Sequence, residues 1–244
     1  MSKAVVLMYH NIGIPPREGK LRSLYVTPRM FRFQMWYLKA AGFRVVSLND
    51  ILSFMRGDTS GERLVALTFD DGYQDFYDNA YPVLKMYGFP STVFLVSDFI
   101  GKENHWDYQE LNIRKRLLDW DAIIEMRDHH VVFGSHTRTH PFLSKLSAEV
   151  MEEELFGAKI ALEKRLNLPV QFFCYPYGNY DERTVATVKK AGYLGAATMN
   201  RGLIHRGDEP FELRRSFIRL TTHPFLFLLK LHSSYEDRKG RRRM

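Results

Sequence analysis

Two spacings of apolar residues alternate along this chain. Short runs rich in β-branched and other apolar residues fall at 4–9, 43–46, 64–69, 92–96, 131–134, 171–174, 193–197 and 215–220. Each has strand length, and several are apolar throughout, as strands buried on both faces require. Between them apolar residues recur at helical spacing. Thr27 with Pro28 opens a helix in which Phe31, Met35 and Leu38 share a face, and Gly42 ends it. Ser47 caps a helix over 48–55, a helix over 75–87 stops at Gly88, and Asp119 caps one over 120–127 with Ile123, Ile124 and Met126 turned inward. Ser147 opens a helix reaching Leu166, with Glu149, Glu152 and Glu153 in its early turns, where they suit the helix dipole. Asp181 begins another, closed by Gly192.

Alternating β and α units predict a parallel sheet, and seven or eight of them predict an α/β fold closed into a single distorted (β/α) barrel. In such a barrel the chemistry belongs to the loops that follow the strands. The stretch 97–117 breaks the alternation and reads as an insertion over that end. No repeat or low-complexity linker divides the chain. The barrel is expected over 1–221, with an apolar segment and basic tail over 222–244.

Composition narrows the classes. With 244 residues, 45% hydrophobic and 14% aromatic, the chain can bury one sizeable core. No run approaches the ~20 apolar residues of a membrane span. The first ten residues lack the apolar stretch and cleavage site of a secretory signal, so a cytoplasmic location is expected, with a peripheral site on the inner membrane face as its extension. The single cysteine, Cys174, excludes an internal disulfide and a Cys-rich zinc site, and its apolar neighbours predict burial. The net charge is +7, and residues 236–244 alone contribute +3 from five basic and two acidic side chains. Pro224-Phe-Leu-Phe-Leu-Leu-Lys-Leu231 lies just before that tail, which reads as unstructured. The pair has what contact with an anionic membrane needs, though a solvated frayed end explains the charges equally well. No basic and aromatic pattern recurs elsewhere, so nucleic-acid binding is not expected.

Two motifs carry the chemistry. Leu67-Thr-Phe-Asp-Asp-Gly72 ends a buried strand in adjacent carboxylates, which leave it in different directions and can serve different roles. One can hold a cation while the other faces a reacting water. Gly134-Ser-His-Thr-Arg-Thr-His-Pro141 follows another strand and sets two imidazoles four residues apart. Rings so spaced can converge on one cation. Two imidazoles and a carboxylate with open positions suit zinc, cobalt, nickel or iron.

These two motifs, followed by Phe173-Cys-Tyr-Pro-Tyr-Gly178, resemble the polysaccharide deacetylases of carbohydrate esterase family 4, the NodB-homology domain. The likeness runs from about Val5 to Ile218, and the opening Leu7-Met-Tyr-His-Asn11 further resembles the branch that deacetylates poly-N-acetylglucosamine, in which the motif order is permuted. The resemblance implies a metal-dependent hydrolase that removes N-acetyl groups from a saccharide: a polysaccharide, a cell-envelope or a lipid-linked glycan. It implies Asp71, His136 and His140 as ligands of one divalent ion, zinc first. Asp70 would be the general base, and the backbone N–H of Tyr177 would help to stabilise the oxyanion.

Two departures stand out. Cys174 occupies the place where many relatives carry an arginine that steadies the base, which leaves open what faces Asp70. No C-terminal Leu-x-His motif supplies an acid, so His10 is the expected replacement and His223 the second choice. Tyr73, Tyr175 and Trp120 are expected at the substrate, with Trp106 and Tyr108 as further aromatics able to stack on sugar rings. The alternatives are a relative acting on a non-sugar amide, or a binding module without catalysis. The intact Asp70, Asp71, His136 and His140 argue against the module.

Overall fold

The computed structural model describes residues 3–18, 20–59, 62–108 and 114–241. Strands are β1 (Ala4–Tyr9), β2 (Asn11–Ile12), β3 (Tyr25–Val26), β4 (Arg44–Val46), β5 (Leu64–Phe69), β6 (Ser91–Leu95), β7 (Val131–Ser135), β8 (Phe172–Cys174), β9 (Gly195–Arg201) and β10 (Leu213–Phe217). The order β1-β10-β9-β8-β7-β6-β5 returns to β1, so seven parallel strands close a barrel. β4 pairs with the first half of β5, and β6 with its second half. β2 and β3 form a small separate parallel pair that the alternation along the sequence did not foreshadow.

Strand parity decides what each side chain faces, because successive residues point to opposite sides. Val5, Leu7 and Tyr9 of β1, with Val65, Leu67 and Phe69 of β5, join the core shared with the helices. Ala4, Val6, Leu64, Ala66, Phe94, Phe172 and Cys174 form the second cluster, with Ile51, Leu52, Phe54 and Met55 of the helix Leu48–Arg56 packed among them. Continuing that parity along β1 leads to His10, and along β5 through Thr68 to Asp70. The pairing of β1 with β5 sets Met8 against Thr68 and Tyr9 against Phe69, so His10 and Asp70 emerge side by side. Gly134 of β7 can only be glycine, because a Cβ there would meet the Phe94 ring at 2.5 Å and the Phe172 carbonyl at 2.9 Å.

Helix ends follow their local signals. Thr27 accepts from the Met30 N–H, Ser47 and Asp50 form a reciprocal capping box, and Asp119, Ser147 and Asp181 each cap the helix that follows. The helix from Ser147 is interrupted by a π-turn, Glu153–Gly157, between Ala148–Glu152 and Ala158–Leu166.

The C-terminal end corrects the expectation of an unstructured tail. Pro224–His232 is a helix with Phe227 and Leu231 buried in the main core, and a second helix covers Tyr235–Arg241. A helix so short does not persist on its own. It is held by Glu236, fully buried, which accepts from Arg201 and pairs with Lys230. Asp237 accepts from the Leu203 N–H and pairs with His205. Packing on the barrel thus explains the apolar character of 224–231, and Phe225 remains its one large exposed hydrophobe. Arg242 and Arg243 lie outside the described residues. No described helix is long and apolar enough to cross a membrane.

If these helices belong to the folded unit, Phe227→Ala lowers stability by about 3–5 kcal/mol, whereas Phe225→Ala stays within about 0.5 kcal/mol. Urea denaturation of the two variants measures this, and equal effects would contradict the packing.

Candidate active site

At the carboxyl ends of the strands, Asp71, His136 and His140 converge. Asp71 Oδ1 lies 3.4 Å from Nε2 of His136 and 3.4 Å from Nε2 of His140. All three residues are buried, and one ligand atom from each lies within 4.8 Å of the others. The His136 Nδ1–H donates to the Cys174 carbonyl at 2.6 Å. With the ring neutral, as a metal ligand must be, that bond leaves a lone pair on Nε2 facing a carboxylate oxygen. Without a cation, burial lowers the His136 pKa, but Cys174 and Asp71 outweigh it and raise the pKa well above its ordinary value. Two acceptors so placed repel unless a cation sits between them. Charge-assisted hydrogen bonds run at about 2.7–2.9 Å, so a 3.4 Å separation is long for one. Ligands at about 2.0–2.1 Å from a tetrahedral cation stand about 3.3–3.4 Å apart. The donor set therefore fits one divalent ion.

Several residues here adopt left-handed backbone: Asp71 (φ 73°), Thr137 (φ 69°), His140 (φ 65°) and Tyr177 (φ 57°). Such conformations cost non-glycine residues energy and persist where surrounding contacts over-determine them. Gly72 (φ 69°) shares the turn after β5, and a Cβ on it would stand 2.8 Å from Leu95. The His140 ring is stacked on Trp106 at 4.8 Å and meets the Tyr177 ring edge-on at 4.4 Å. Trp106 comes from the 97–117 segment, whose described residues reach the site through Trp106 and Asp107. That segment is tied to the β5 loop by the Gln74 N–H donating to the Arg116 carbonyl and by Lys115, which bonds Asp75 and Asn11.

Asp70 is clamped by Arg215, a residue the motif reading passed over. Nη1 and Nη2 of Arg215 donate to Oδ1 and Oδ2 of Asp70 at 2.7 and 2.8 Å. The guanidinium also reaches Thr68 Oγ1 at 3.1 Å, the Thr198 carbonyl at 2.8 Å and Cys174 Sγ at 3.2 Å. Burial alone would raise the Asp70 carboxyl, but the charge of Arg215 and its hydrogen bonds prevail and hold it below the usual carboxylate range. This settles what faces Asp70 where Cys174 stands: the arginine arrives from β10 instead. Its sequence signal was an Arg-Arg pair inside a strand with apolar flanks, Leu213-Arg-Arg-Ser-Phe217.

His10 lies with Nε2 at 3.8 Å from Asp70 Oδ2 and its ring 5.3 Å from that of Phe217. Burial lowers its pKa and outweighs the opposing pull of Asp70 and Asp71. His223 instead caps the helix Pro224–His232 through Nδ1. A cleft of about 280 Å³ is lined by His10, Asp70, Asp71, His136, His140 and Tyr177, together with Tyr175. Asp107 and Arg219, which the sequence did not single out, line it too. His223, Tyr73 and Trp120 are not among its lining residues. Tyr73 is buried with its ring against Lys115, and Trp120 packs beside Arg165. Tyr175 is also buried, donating its hydroxyl to the Phe211 carbonyl. A larger hollow of about 730 Å³, bounded by Asn49, Arg56 and Arg206, holds none of these groups.

Fold and cleft together define a barrel hydrolase of the deacetylase type, and comparison with known proteins agrees. Residues 57–196 match the polysaccharide deacetylase family, and the chain belongs to it. A poly-β-1,6-N-acetyl-D-glucosamine N-deacetylase of Staphylococcus epidermidis is 26% identical over 98% of this chain and 86% of its own length. The Streptococcus pyogenes deacetylase PplD, solved with acetate, superposes with a TM-score of 0.81 at 26% identity, covering 94% of this chain and 98% of that one. A polysaccharide deacetylase of Bacillus cereus is 30% identical, with a TM-score of 0.79 over 94% of this chain and 69% of its own.

The Arg215 clamp makes a pH prediction. In Arg215→Met, burial loses its strongest opponent and only the weaker pull of His10 and His136 remains, so the Asp70 carboxyl rises and the acid limb of kcat/KM moves to higher pH. Losing one partner of a buried pair also costs about 3–5 kcal/mol of stability. A folded variant with an unmoved acid limb would show that Asp70 is not the group titrating there.

Proposed function

We propose that this protein is a metal-dependent N-deacetylase of an N-acetylated saccharide, with a polymer or lipid-linked glycan of N-acetylglucosamine as the substrate class. The observation that carries the reading is the meeting of Asp71, His136 and His140 beside an arginine-clamped Asp70. A divalent cation on the three ligands, zinc first and cobalt, nickel or iron as alternatives, would lower the pKa of water and polarise an amide carbonyl. The sequence relatives named as N-acetylglucosamine deacetylases support the substrate class. Acetate in the S. pyogenes deacetylase supports the reaction, since it is the acid an N-acetyl group releases.

The chain's own residues divide the proton work. Both oxygens of Asp70 are fixed by Arg215, so the carboxylate is ionised and aimed, and it accepts the proton of the attacking water. The water oxygen bonds to the acetyl carbon, the C–N bond breaks, and the departing nitrogen must be protonated. His10 supplies that proton. Burial keeps its imidazole neutral at rest, so it first takes up the proton gained by Asp70, 3.8 Å away. The backbone N–H of Tyr177, which sits in a left-handed turn, would serve as the preorganised donor to the developing oxyanion.

A panel of N-acetylated glucosamine oligomers and lipid-linked N-acetyl sugars, followed by loss of acetyl mass with and without chelator, tests the reading. Activity that survives full chelation, or that His136→Ala leaves intact, contradicts it. Asp70→Asn should reduce turnover on every substrate by a factor on the order of 10²–10⁴. His10→Ala should spare aryl acetates, whose leaving group needs no proton, far more than N-acetyl sugars. If His223→Ala shows that selective loss instead, the acid is His223.

A further inference from the structure

The loop that carries both histidines is braced from outside the ligand set. Between His136 and His140 the backbone takes left-handed turns at Thr137 and His140, two unfavourable conformations within four residues. Its amides are satisfied by side chains. The His140 N–H donates to Thr137 Oγ1 at 2.9 Å. The N–H groups of Arg138 and Thr139 both donate to Glu154 Oε2, at 2.8 and 2.9 Å, and the Thr139 hydroxyl donates to Oε1 at 2.6 Å. A buried carboxylate thus accepts three hydrogen bonds from two consecutive loop residues. Bonds to an ionised acceptor are about twice as strong as neutral ones.

The helix that supplies Glu154 is shaped for this contact. Glu153–Gly157 is a π-turn inside an otherwise α-helical stretch, a feature frequent at functional sites. Glu153 pairs with the Arg138 guanidinium, which also bonds Asp98. Gly157 leaves room for that side chain, since a Cβ there would stand 2.8 Å from Arg138 Cδ. Glu154 bonds Arg138 and Thr139 and no ligand side chain, so its hold on the site passes through the backbone.

The two histidines depend on this brace unequally. His136 is oriented by its own bond to the Cys174 carbonyl, whereas His140 Nδ1 has no hydrogen-bond partner among the described residues. The orientation of His140 is left to ring packing and to the backbone that carries it. We propose that Glu154 is the positioning residue that sets the His136–His140 geometry and so the cation affinity of the site. This rests on the metal reading given above.

The test measures zinc affinity by chelator competition in the full chain, alongside melting of the metal-free protein. Glu154→Ala should weaken zinc binding by about 10–100-fold, the usual effect of losing an outer-shell partner. Glu154→Gln should recover most of the loss, because its carbonyl oxygen can accept both amides while its NH₂ donates to the Thr139 hydroxyl oxygen. Thr139→Val removes one bond of the three and should weaken binding by a smaller factor, and it serves if Glu154→Ala does not fold. A brace that served stability alone would lower the melting temperature and leave zinc affinity at its wild-type value. Wild-type affinity in Glu154→Ala, or in Thr139→Val if that variant alone folds, overturns the proposal. A wild-type protein that binds no zinc at all overturns the metal reading itself, and this proposal with it.

Discussion

A carboxylate in the interior of a barrel is unfavourable unless something meets its charge, and much of this structure answers to that condition at Asp70. A bidentate pair of hydrogen bonds from Arg215 meets it, and the guanidinium is satisfied in turn by Thr68, Thr198 and Cys174 from three other strands. Pairs of this kind contribute little to net stability once desolvation is counted. Their effect here is chemical. Asp70 stays ionised although buried, and its two oxygens cannot rotate. Cys174 suits the position because a small thiol leaves space for an arginine that comes from β10.

Barrel closure determines which residues share that environment. The in-register pairing of β1 with β5 sets His10 beside Asp70, and parity keeps both on the face that Ala4, Val6, Leu64 and Ala66 occupy further down. The strand carrying Arg215 is supported in turn by the C-terminal helices. Lys230 reaches Ser216, next to Arg215, and Glu236 joins Lys230 to Arg201 on the neighbouring strand β9. Of the charges in the tail, the two acidic ones, Glu236 and Asp237, are thus paired inside the molecule.

The strained turns at Asp71, Thr137, His140 and Tyr177 lie where separate loops meet, and each is held by contacts from another part of the chain. Trp106 from the insertion packs on His140, Glu154 from the π-turn binds the histidine loop, and Phe142 stacks on Tyr177 at 4.1 Å. Such mutual support is what preorganisation requires, because no single loop could hold these conformations alone.

Period and punctuation determined a good deal without any coordinates. Alternating strand and helix patterns, with Thr27, Ser47, Asp119, Ser147 and Asp181 as caps, specify a parallel barrel because these signals act within a few residues. Asp70, Asp71, His136 and His140 were legible for the same reason: each pair lies within one short motif at a strand end. Arg215 was not, since an arginine inside a strand is informative only once closure shows that it points inward, 145 residues from its partner. Tyr73 and Trp120, assigned to the substrate but absent from the cleft, share that limitation, because an aromatic reads alike in a core and in a cleft until packing separates the two. Glu236 turned the tail into a helix through partners at Arg201 and Lys230 that no local pattern announces. Local hydrogen bonding and hydrophobic period are written in neighbouring residues; which charges meet in a buried interior is decided only when distant strands close on one another.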